Sequence, residues 1–136
     1  MFNSFDGSIH NFNVGIDCED IERWRRMLPK LEKGVQRKLF TEEEHRYCRS
    51  YKDPAPHYAA RWCVKEAVLK ALSPFYKISL RQIEISTDQN GRPFCKFNDP
   101  EVLKLDPVVR ISLSHSKETA VAVAMIAIKD TYTGRE

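Results

Sequence analysis

The segment YAARWCVKEAVLKAL, residues 58–72, constrains the fold most, because its apolar residues follow helical spacing around one carboxylate. At 100° per residue, Glu66 points between Ala59 and Trp62, on a face that packs inward. A carboxylate on such a face needs a partner, because its desolvation is costly. Two partners stay open: Lys70, four residues along the same arc, or a metal ion with an anionic ligand.

A second pattern lies in residues 12–18, FNVGIDC, which alternate with the period of a β-strand. Phe12, Val14 and Ile16 lie on one face, whereas Gly15 and Asp17 lie on the other, polar face. Asp17 ends this predicted strand, where a helical pattern begins. The alternative is that Asp17 or a neighbour is the N-cap of that helix, which is a common use of aspartate.

Composition limits the class of protein. The chain has 136 residues, 42% hydrophobic and 30% charged, which is typical of one globular domain. It has no apolar run long enough for a membrane span and no signal-peptide pattern at its start. Its cysteines are scattered, without zinc spacing or a disulfide framework: Cys18, Cys48, Cys63 and Cys95. We therefore expect a cytoplasmic protein with no membrane partner.

The remaining patterns predict an α+β fold, with helices packed on one antiparallel β-sheet. The predicted helices cover residues 18–28, 30–40, 41–51 and 58–72, and the predicted strands cover residues 12–18, 79–87, 94–97, 108–115 and 119–128. Thr41 and Glu44 form a capping box at the third helix, and Ser73-Pro74 ends the fourth. We expect a single domain over residues 1–136, with a loose N-terminal extension (1–10) and a frayed tail (129–136).

Basic residues are concentrated in residues 23–38, where seven Lys and Arg side chains face one acid, Glu32. Such a patch binds nucleic acid, binds an acidic protein, or serves only solubility. The net charge is only +3, and no familiar nucleic-acid-reading helix is present, so we expect no nucleic-acid partner.

Five blocks occur in a fixed order along the chain: GIDCEDIER, LFTEEEHRYC, ARWCVKEAVLKAL, NGRPF and ISLSHS. Together they resemble the 4′-phosphopantetheinyl transferases, most closely the small holo-acyl-carrier-protein synthase group, from residue 15 to about residue 127. The resemblance implies that group's fold and reaction. In that reaction the phosphopantetheine arm of coenzyme A moves to a serine of an apo acyl carrier protein, leaving adenosine 3′,5′-bisphosphate. One departure is Ser73-Pro74, where the family usually has glycine.

The resemblance also implies roles for the carboxylates. Asp17 and Glu66 match the residues that hold Mg²⁺ on the pyrophosphate of coenzyme A. Such a site agrees with the preference of Mg²⁺ for one or two carboxylates plus substrate phosphates. Lys70 would supply positive charge beside the transferred phosphate. The base that takes the serine proton stays open between Glu66 and a water on the metal.

Further residues are implied at the nucleotide. Arg61 resembles a nucleotide-side arginine that grips phosphate, and its alternative role is a surface pair with a carboxylate. His115 closes the ISLSHS block and is implied at the 3′-phosphate, although a lone histidine on a strand is usually structural. A hairpin turn is implied near the adenine, where glycine permits a close backbone approach; its residues are Asn90, Gly91, Arg92 and Pro93.

The implied protein partner is an acidic acyl carrier protein. Arg23 matches the arginine that follows the family's Gly-Ile-Asp block, so we expect Arg23 and Arg26 to contact the carrier. The small synthases are typically homotrimers with sites at subunit interfaces, which implies the same assembly here. The alternative is a non-catalytic carrier-binding module with this fold. The combination of Asp17, Glu66 and Lys70 argues against that alternative, because a scaffold needs no metal pair.

Overall fold

The computed structural model describes residues 11–129. The predicted N-terminal extension and the tail beyond Lys129 lie outside the described residues. Lys129 itself pairs with Asp106 through a 3.0 Å contact. Within the described range the helices are α1 (Ile21–Met27), α2 (Lys33–Leu39), α3 (Glu42–Arg49), α4 (Ala55–Leu72) and α5 (Pro100–Leu105), and the strands are β1 (Phe12–Asp20), β2 (Ile83–Thr87), β3 (Pro93–Phe97), β4 (Val108–His115) and β5 (Thr119–Ala127).

The predicted α+β fold is confirmed, with helices packed on antiparallel β-structure. In one detail the prediction was wrong: the described strands form two hydrogen-bonded sheets, not one. The larger sheet has the order β1-β5-β4, and β2 pairs with β3 in a separate hairpin. The long helix α4 contacts both sheets, and one apolar core lies between α4 and strands β2, β3, β4 and β5. No helix in residues 11–129 is long and apolar enough to cross a membrane.

The inner face of β1 is the polar one. Val14 and Ile16, 47% and 61% exposed, lie on the outer face of the sheet, while Gly15 is buried on the other side. On that inner side, Asn13 Nδ2 donates to the carbonyl oxygen of Ala71 over 3.1 Å. The end of α4 is therefore held against β1, and Asp17 faces the helix.

Several predicted boundaries differ from the structure. β1 continues to Asp20, which pairs with Thr119 of β5, so the following helix begins at Ile21 instead of residue 18. Asp20, not Asp17, caps that helix by accepting a 3.1 Å hydrogen bond from the amide of Glu22. α2 is shorter than predicted, α4 begins three residues earlier, and β2 begins at Ile83 after a 3₁₀ turn. The capping box of α3 is confirmed.

Helix α5 was missed altogether. Asp99 accepts hydrogen bonds from the first amides of this helix, and Pro100 occupies its first turn. This Asp-Pro pair is a recognised start signal, but the helix has only 6 residues, too few to show a helical period.

A buried ion pair joins α3 to α4. The Nζ atom of Lys65 lies 2.6 Å from Oε1 of Glu44, and both side chains are fully buried. The same Glu44 carboxylate accepts hydrogen bonds from the amides of Thr41, over 2.8 Å, and Ile85, over 2.9 Å. Glu44 therefore fixes α3, α4 and β2 relative to one another.

Candidate active site

Three of the predicted site residues lie together where β1 meets α4. Lys70 Nζ donates to Oδ1 of Asp17 over 3.2 Å and to the carbonyl oxygen of Ile16 over 3.0 Å. Burial, and then the charge of Asp17, raise the pKa of Glu66, while Lys70 acts in the opposite direction. Within residues 11–129, Lys70 forms its ion pair with Asp17 and none with Glu66. The simple helical pair between Glu66 and Lys70 is therefore not formed.

A third carboxylate, Glu19, belongs to the same cluster and was not predicted. It follows Asp17 by two residues on the inner face of β1, and its Oε1 accepts a 2.9 Å hydrogen bond from Trp24 Nε1. Burial and the adjacent Asp17 carboxyl raise the pKa of Glu19 to about 7. When Glu19 is protonated, its carboxyl group is neutral and no longer repels the negative charge of Asp17. The i,i+2 spacing of Asp17 and Glu19 on a strand was the available signal.

The carboxylate cluster has the chemistry that a hard cation requires. Oδ2 of Asp17 is buried and has no hydrogen-bond donor among the described residues. No group of three or more acidic, histidine or cysteine side chains in residues 11–129 is arranged to hold a metal by itself. Mg²⁺ does not need such a cage, because it takes one or two carboxylates and completes its shell with water and substrate phosphates. Asp17 and Glu66 fit that sparse requirement.

Arg61 lies in a different environment, between α3 and the end of β2. Its side chain donates from Nη2 to Thr87 Oγ1 over 2.8 Å, and its Cζ atom lies 3.9 Å from the ring centre of Tyr47. The residue is only 4% exposed, and its Nε has no partner among the described residues. No carboxylate in that range pairs with it, so the alternative of a surface ion pair was wrong. The reason is that this sector of α4 packs under Tyr47.

His115 ends β4, on the side of the sheet that faces α4. It is opposite Ala120 of β5, which in turn is opposite Glu19 of β1. Directly paired residues on neighbouring strands point to the same face of the sheet. Glu19, Ala120 and His115 therefore form one row across the three strands, and its two ends are two strand spacings apart, about 10 Å. His115 is exposed, and its charge contributes to lowering the pKa of His57 on α4. His115 therefore lies close to the first turns of α4.

The predicted hairpin turn joins β2 to β3; Asn90, Gly91 and Arg92 are exposed and Pro93 is half-buried. Gly91 adopts a positive φ of 79°. Oδ1 of Asp88 accepts hydrogen bonds from the amides of Asn90, over 2.8 Å, and Arg92, over 2.9 Å. A groove of about 680 Å³ separates this turn from β4. Its lining includes Gly91, Arg92, Pro93, Arg110 and Ser112. Arg61 is connected to this region because Thr87 immediately precedes the turn.

Arg23 and Arg26 are exposed on α1, and neither forms an ion pair within residues 11–129. Between them, Arg25 pairs with Glu22 and with Asp53, the latter over 2.8 Å. The charge of Arg23 acts to lower the pKa of Glu19, so this end of α1 lies beside the carboxylate cluster. Arg23 and Arg26 are therefore available to an acidic partner that approaches the cluster.

Paired carboxylates, a lysine and nearby cations on one face of an α+β fold are typical of an enzyme that acts on phosphate esters. The family model for the 4′-phosphopantetheinyl transferase superfamily matches residues 13–125, and the chain belongs to that superfamily.

Individual relatives are similar over almost their whole length. A holo-[acyl-carrier-protein] synthase of Thermodesulfovibrio yellowstonii is 37% identical over 113 residues, which cover 83% of this chain and 96% of that protein. A holo-(acyl-carrier-protein) synthase of Bacillus anthracis, solved in complex with CoA (3′,5′-ADP), has a TM-score of 0.71 at 29% identity and covers 86% of this chain and 96% of its own. The acyl carrier protein synthase of Mycobacterium tuberculosis has a TM-score of 0.65 at 34% identity, over 85% and 96% of the two chains.

Proposed function

We propose that this protein is a holo-acyl-carrier-protein synthase, which transfers the 4′-phosphopantetheine arm of coenzyme A to a serine of an apo acyl carrier protein. The observation that carries this proposal is the meeting of Asp17, Glu66 and Lys70. They come from two sequence blocks: Asp17 and Lys70 are 53 residues apart along the chain and form a hydrogen bond. The identity of the relatives, over 96% of the length of the Thermodesulfovibrio protein, supports it further.

In the reaction, the serine oxygen of the carrier attacks the β-phosphorus of coenzyme A. The bond from that phosphorus to the oxygen of adenosine 3′,5′-bisphosphate breaks, and the serine proton passes to a base. Two groups can accept it: Glu66, whose pKa burial and the Asp17 charge raise in the metal-free protein, or a water on the metal. Lys70, half-exposed beside Asp17, places a positive charge next to the transferred phosphate.

We assign Asp17 and Glu66 as the ligands of Mg²⁺. The unpartnered Oδ2 of Asp17 and the raised pKa of Glu66 both favour a cation between them. When bound, Mg²⁺ would neutralise charge on the diphosphate and stabilise the leaving phosphate.

We place the nucleotide half of coenzyme A at Arg61, His115 and the hairpin turn. Arg61 is tied to the base of the hairpin by its bond to Thr87. The row from Glu19 to His115 shows that this region and the carboxylate cluster share one face of the sheet. Each chain therefore carries groups for the diphosphate of coenzyme A at one end of that row and groups for its nucleotide at the other.

We assign the carrier to α1, through Arg23 and Arg26. Charge reversal at both positions should raise the KM for the carrier and leave the KM for coenzyme A unchanged, because exposed rim charges mainly steer association. Charge reversal at Lys104, exposed on α5, is the matched control and should change neither. An equal rise in both KM values would contradict the assignment.

We propose a homotrimer, assembled through the outer face of the larger sheet, with the sites at subunit interfaces. Apolar side chains of β1 and β5 meet there in register: Val14 opposite Met125 and Ile16 opposite Val123. Three of these four residues are clearly exposed, at 47%, 43% and 61% for Val14, Met125 and Ile16. A contiguous apolar sheet face favours burial against another copy of the chain.

We place the reaction in the cytoplasm. All four cysteines, which lie within the described residues, are free thiols, as expected in a reducing compartment. Burial raises the pKa of the Cys48, Cys63 and Cys95 thiols to about 12, so these three are unreactive at neutral pH.

Mass spectrometry of an apo acyl carrier protein, incubated with this protein, coenzyme A and Mg²⁺, tests the proposed function. We expect the carrier to gain the phosphopantetheine mass, and to gain none with a chelator or with Glu66→Gln. Glu101→Gln, at an exposed position on α5, is the control and should keep full activity. If carrier and coenzyme A both bind but no mass is gained, the chain is the non-catalytic carrier-binding module instead.

A further inference from the structure

The environment of Arg61 requires a negative charge that residues 11–129 do not supply. The residue is 4% exposed, its Nε is unpartnered, and its one hydrogen bond goes to a neutral hydroxyl, Thr87 Oγ1. A guanidinium taken out of water without an anion is unfavourable. The cation–π contact with Tyr47, at 3.9 Å, compensates only in part. The missing counter-charge points to an anionic ligand.

His57 lies beside Arg61 on the same face of α4, because the two are four residues apart. Its ring is stacked on Tyr51, with centroids 3.5 Å apart and planes inclined by 15°. Tyr47, which covers Arg61, contacts the same imidazole edge-on at 5.9 Å. The two tyrosines therefore hold the His57 ring in one orientation. Within residues 11–129, neither ring nitrogen of His57 forms a hydrogen bond.

His115 completes the cluster from β4. Burial lowers the pKa of His57, and the charges of Arg61 and His115 lower it further. Asp53 is the one acid that acts in the opposite direction, and its carboxylate is already paired with Arg25. Arg61 and His115 thus both add positive charge near His57, and an anion with two charges would relieve the repulsion among the three groups.

We propose that His57 binds the 3′-phosphate of coenzyme A together with Arg61 and His115. This inference rests on the proposed function, and it adds a residue that the sequence blocks do not mark. A phosphomonoester carries up to two negative charges and three acceptor oxygens. It can therefore accept hydrogen bonds from a guanidinium and two imidazoles at once. The stack on Tyr51 fixes the His57 ring in advance, which reduces the entropy lost on binding.

Binding of coenzyme A and of 3′-dephospho-coenzyme A, measured by calorimetry, tests this proposal. The two ligands differ only in the phosphate that His57 is proposed to bind. The variant is His57→Phe, which keeps an aromatic ring against Tyr51 and removes both nitrogens. Tyr51→Phe is the control, because it alters the other ring of the same stack without removing a group that is proposed to bind phosphate.

We expect His57→Phe to weaken coenzyme A binding about tenfold, as a lost charge-assisted hydrogen bond would, and to leave dephospho-coenzyme A binding unchanged. Tyr51→Phe should keep the wild-type ratio of the two affinities. Loss of both affinities by the same factor in His57→Phe, or no loss in either, would overturn the proposal while the proposed function stands. If the wild-type protein binds neither ligand, both the proposal and the proposed function fail.

Discussion

Gly15 and Ala67 approach so closely that a Cβ atom on Gly15 would lie 2.0 Å from the carbonyl oxygen of Ala67. The same atom would lie 2.7 Å from the amide nitrogen of Ala71. Real side chains do not come this near, so only glycine permits α4 to rest directly on β1. Asp17 comes two residues later on the same face. The contact therefore sets the distance between β1 and α4, the two elements that carry the carboxylates we propose as metal ligands.

Gly15→Ala should consequently reduce the free energy of unfolding by about 3 kcal/mol or more, because the new methyl group meets backbone atoms that cannot move aside. Urea denaturation measures this change. Gly34→Ala is the matched control: Gly34 lies in α2 with no heavy atom within 4 Å of its added Cβ. It should stabilise the protein by up to about 1 kcal/mol through helix propensity. Similar effects at the two positions would contradict the close contact.

The period of β1 predicted a strand but not which of its faces is buried. An alternating strand normally turns its apolar side to the core, whereas Val14 and Ile16 are exposed and Gly15 is buried. The absence of a side chain at Gly15 decides the matter, because α4 can approach only the face that has no Cβ atom there. A long-range contact of this kind is invisible to local periodicity, and so is the division of the strands into two sheets.

The sequence blocks located Asp17, Glu66 and Lys70, and the structure brings them together. Glu19 was missed because the strand was predicted to end at Cys18, which placed Glu19 in a helix. Arg61 was predicted to grip phosphate or to form a surface pair, whereas its burial depends on Tyr47 of α3 and Thr87 of β2. Neither contact follows from helical spacing.

The buried pair between Glu44 and Lys65 gives a second prediction. Lys65→Met leaves a charged Glu44 without its cation, and should cost about 3–5 kcal/mol of unfolding free energy. Lys104→Met removes an exposed pair with Glu101, whose side chains are 72% and 58% exposed, and should change stability by less than about 0.5 kcal/mol. Chemical denaturation of both variants measures the contrast. A loss below about 1 kcal/mol for Lys65→Met would show that the amides of Thr41 and Ile85 already compensate the Glu44 charge.

Glu19 gives a prediction about pH. Its pKa rises from 4.5 to about 7 on folding, so between these values the native state holds a proton that the unfolded chain has released. The stabilisation is therefore complete below pH 4.5 and is lost as the pH rises through about 7. Glu19→Gln should remove this dependence. The unfolding free energy of the variant minus that of the wild type should therefore be larger at about pH 8 than at about pH 5.

Unfolding with urea, in metal-free buffer with chelator, compares these stabilities without interference from a bound cation. Glu118→Gln is the control, because Glu118 is exposed in the turn before β5. It should change stability by the same amount at both pH values. If Glu19→Gln also does so, the pKa of Glu19 is not raised on folding.

The outer sheet face gives the last prediction. Ile16 is 61% exposed on β1 and lies opposite Val123 of β5, at the centre of the apolar rows that we assign to the trimer. Ile16→Asp puts a charge where each subunit would bury a methyl-rich surface, so the trimer should dissociate. Light scattering after size-exclusion chromatography measures the mass. Leu103→Asp is the control, because Leu103 is similarly apolar and 58% exposed but lies on α5.

We expect the wild-type protein and Leu103→Asp to have the mass of a trimer and Ile16→Asp that of a monomer. Because the outer face is opposite the face that carries Asp17, the substitution leaves the carboxylate cluster of each subunit in place. Loss of transferase activity on dissociation would therefore mean that a neighbouring subunit completes the site. Full activity in the monomer would contradict the interface site, and a monomeric wild-type protein would contradict the trimer itself.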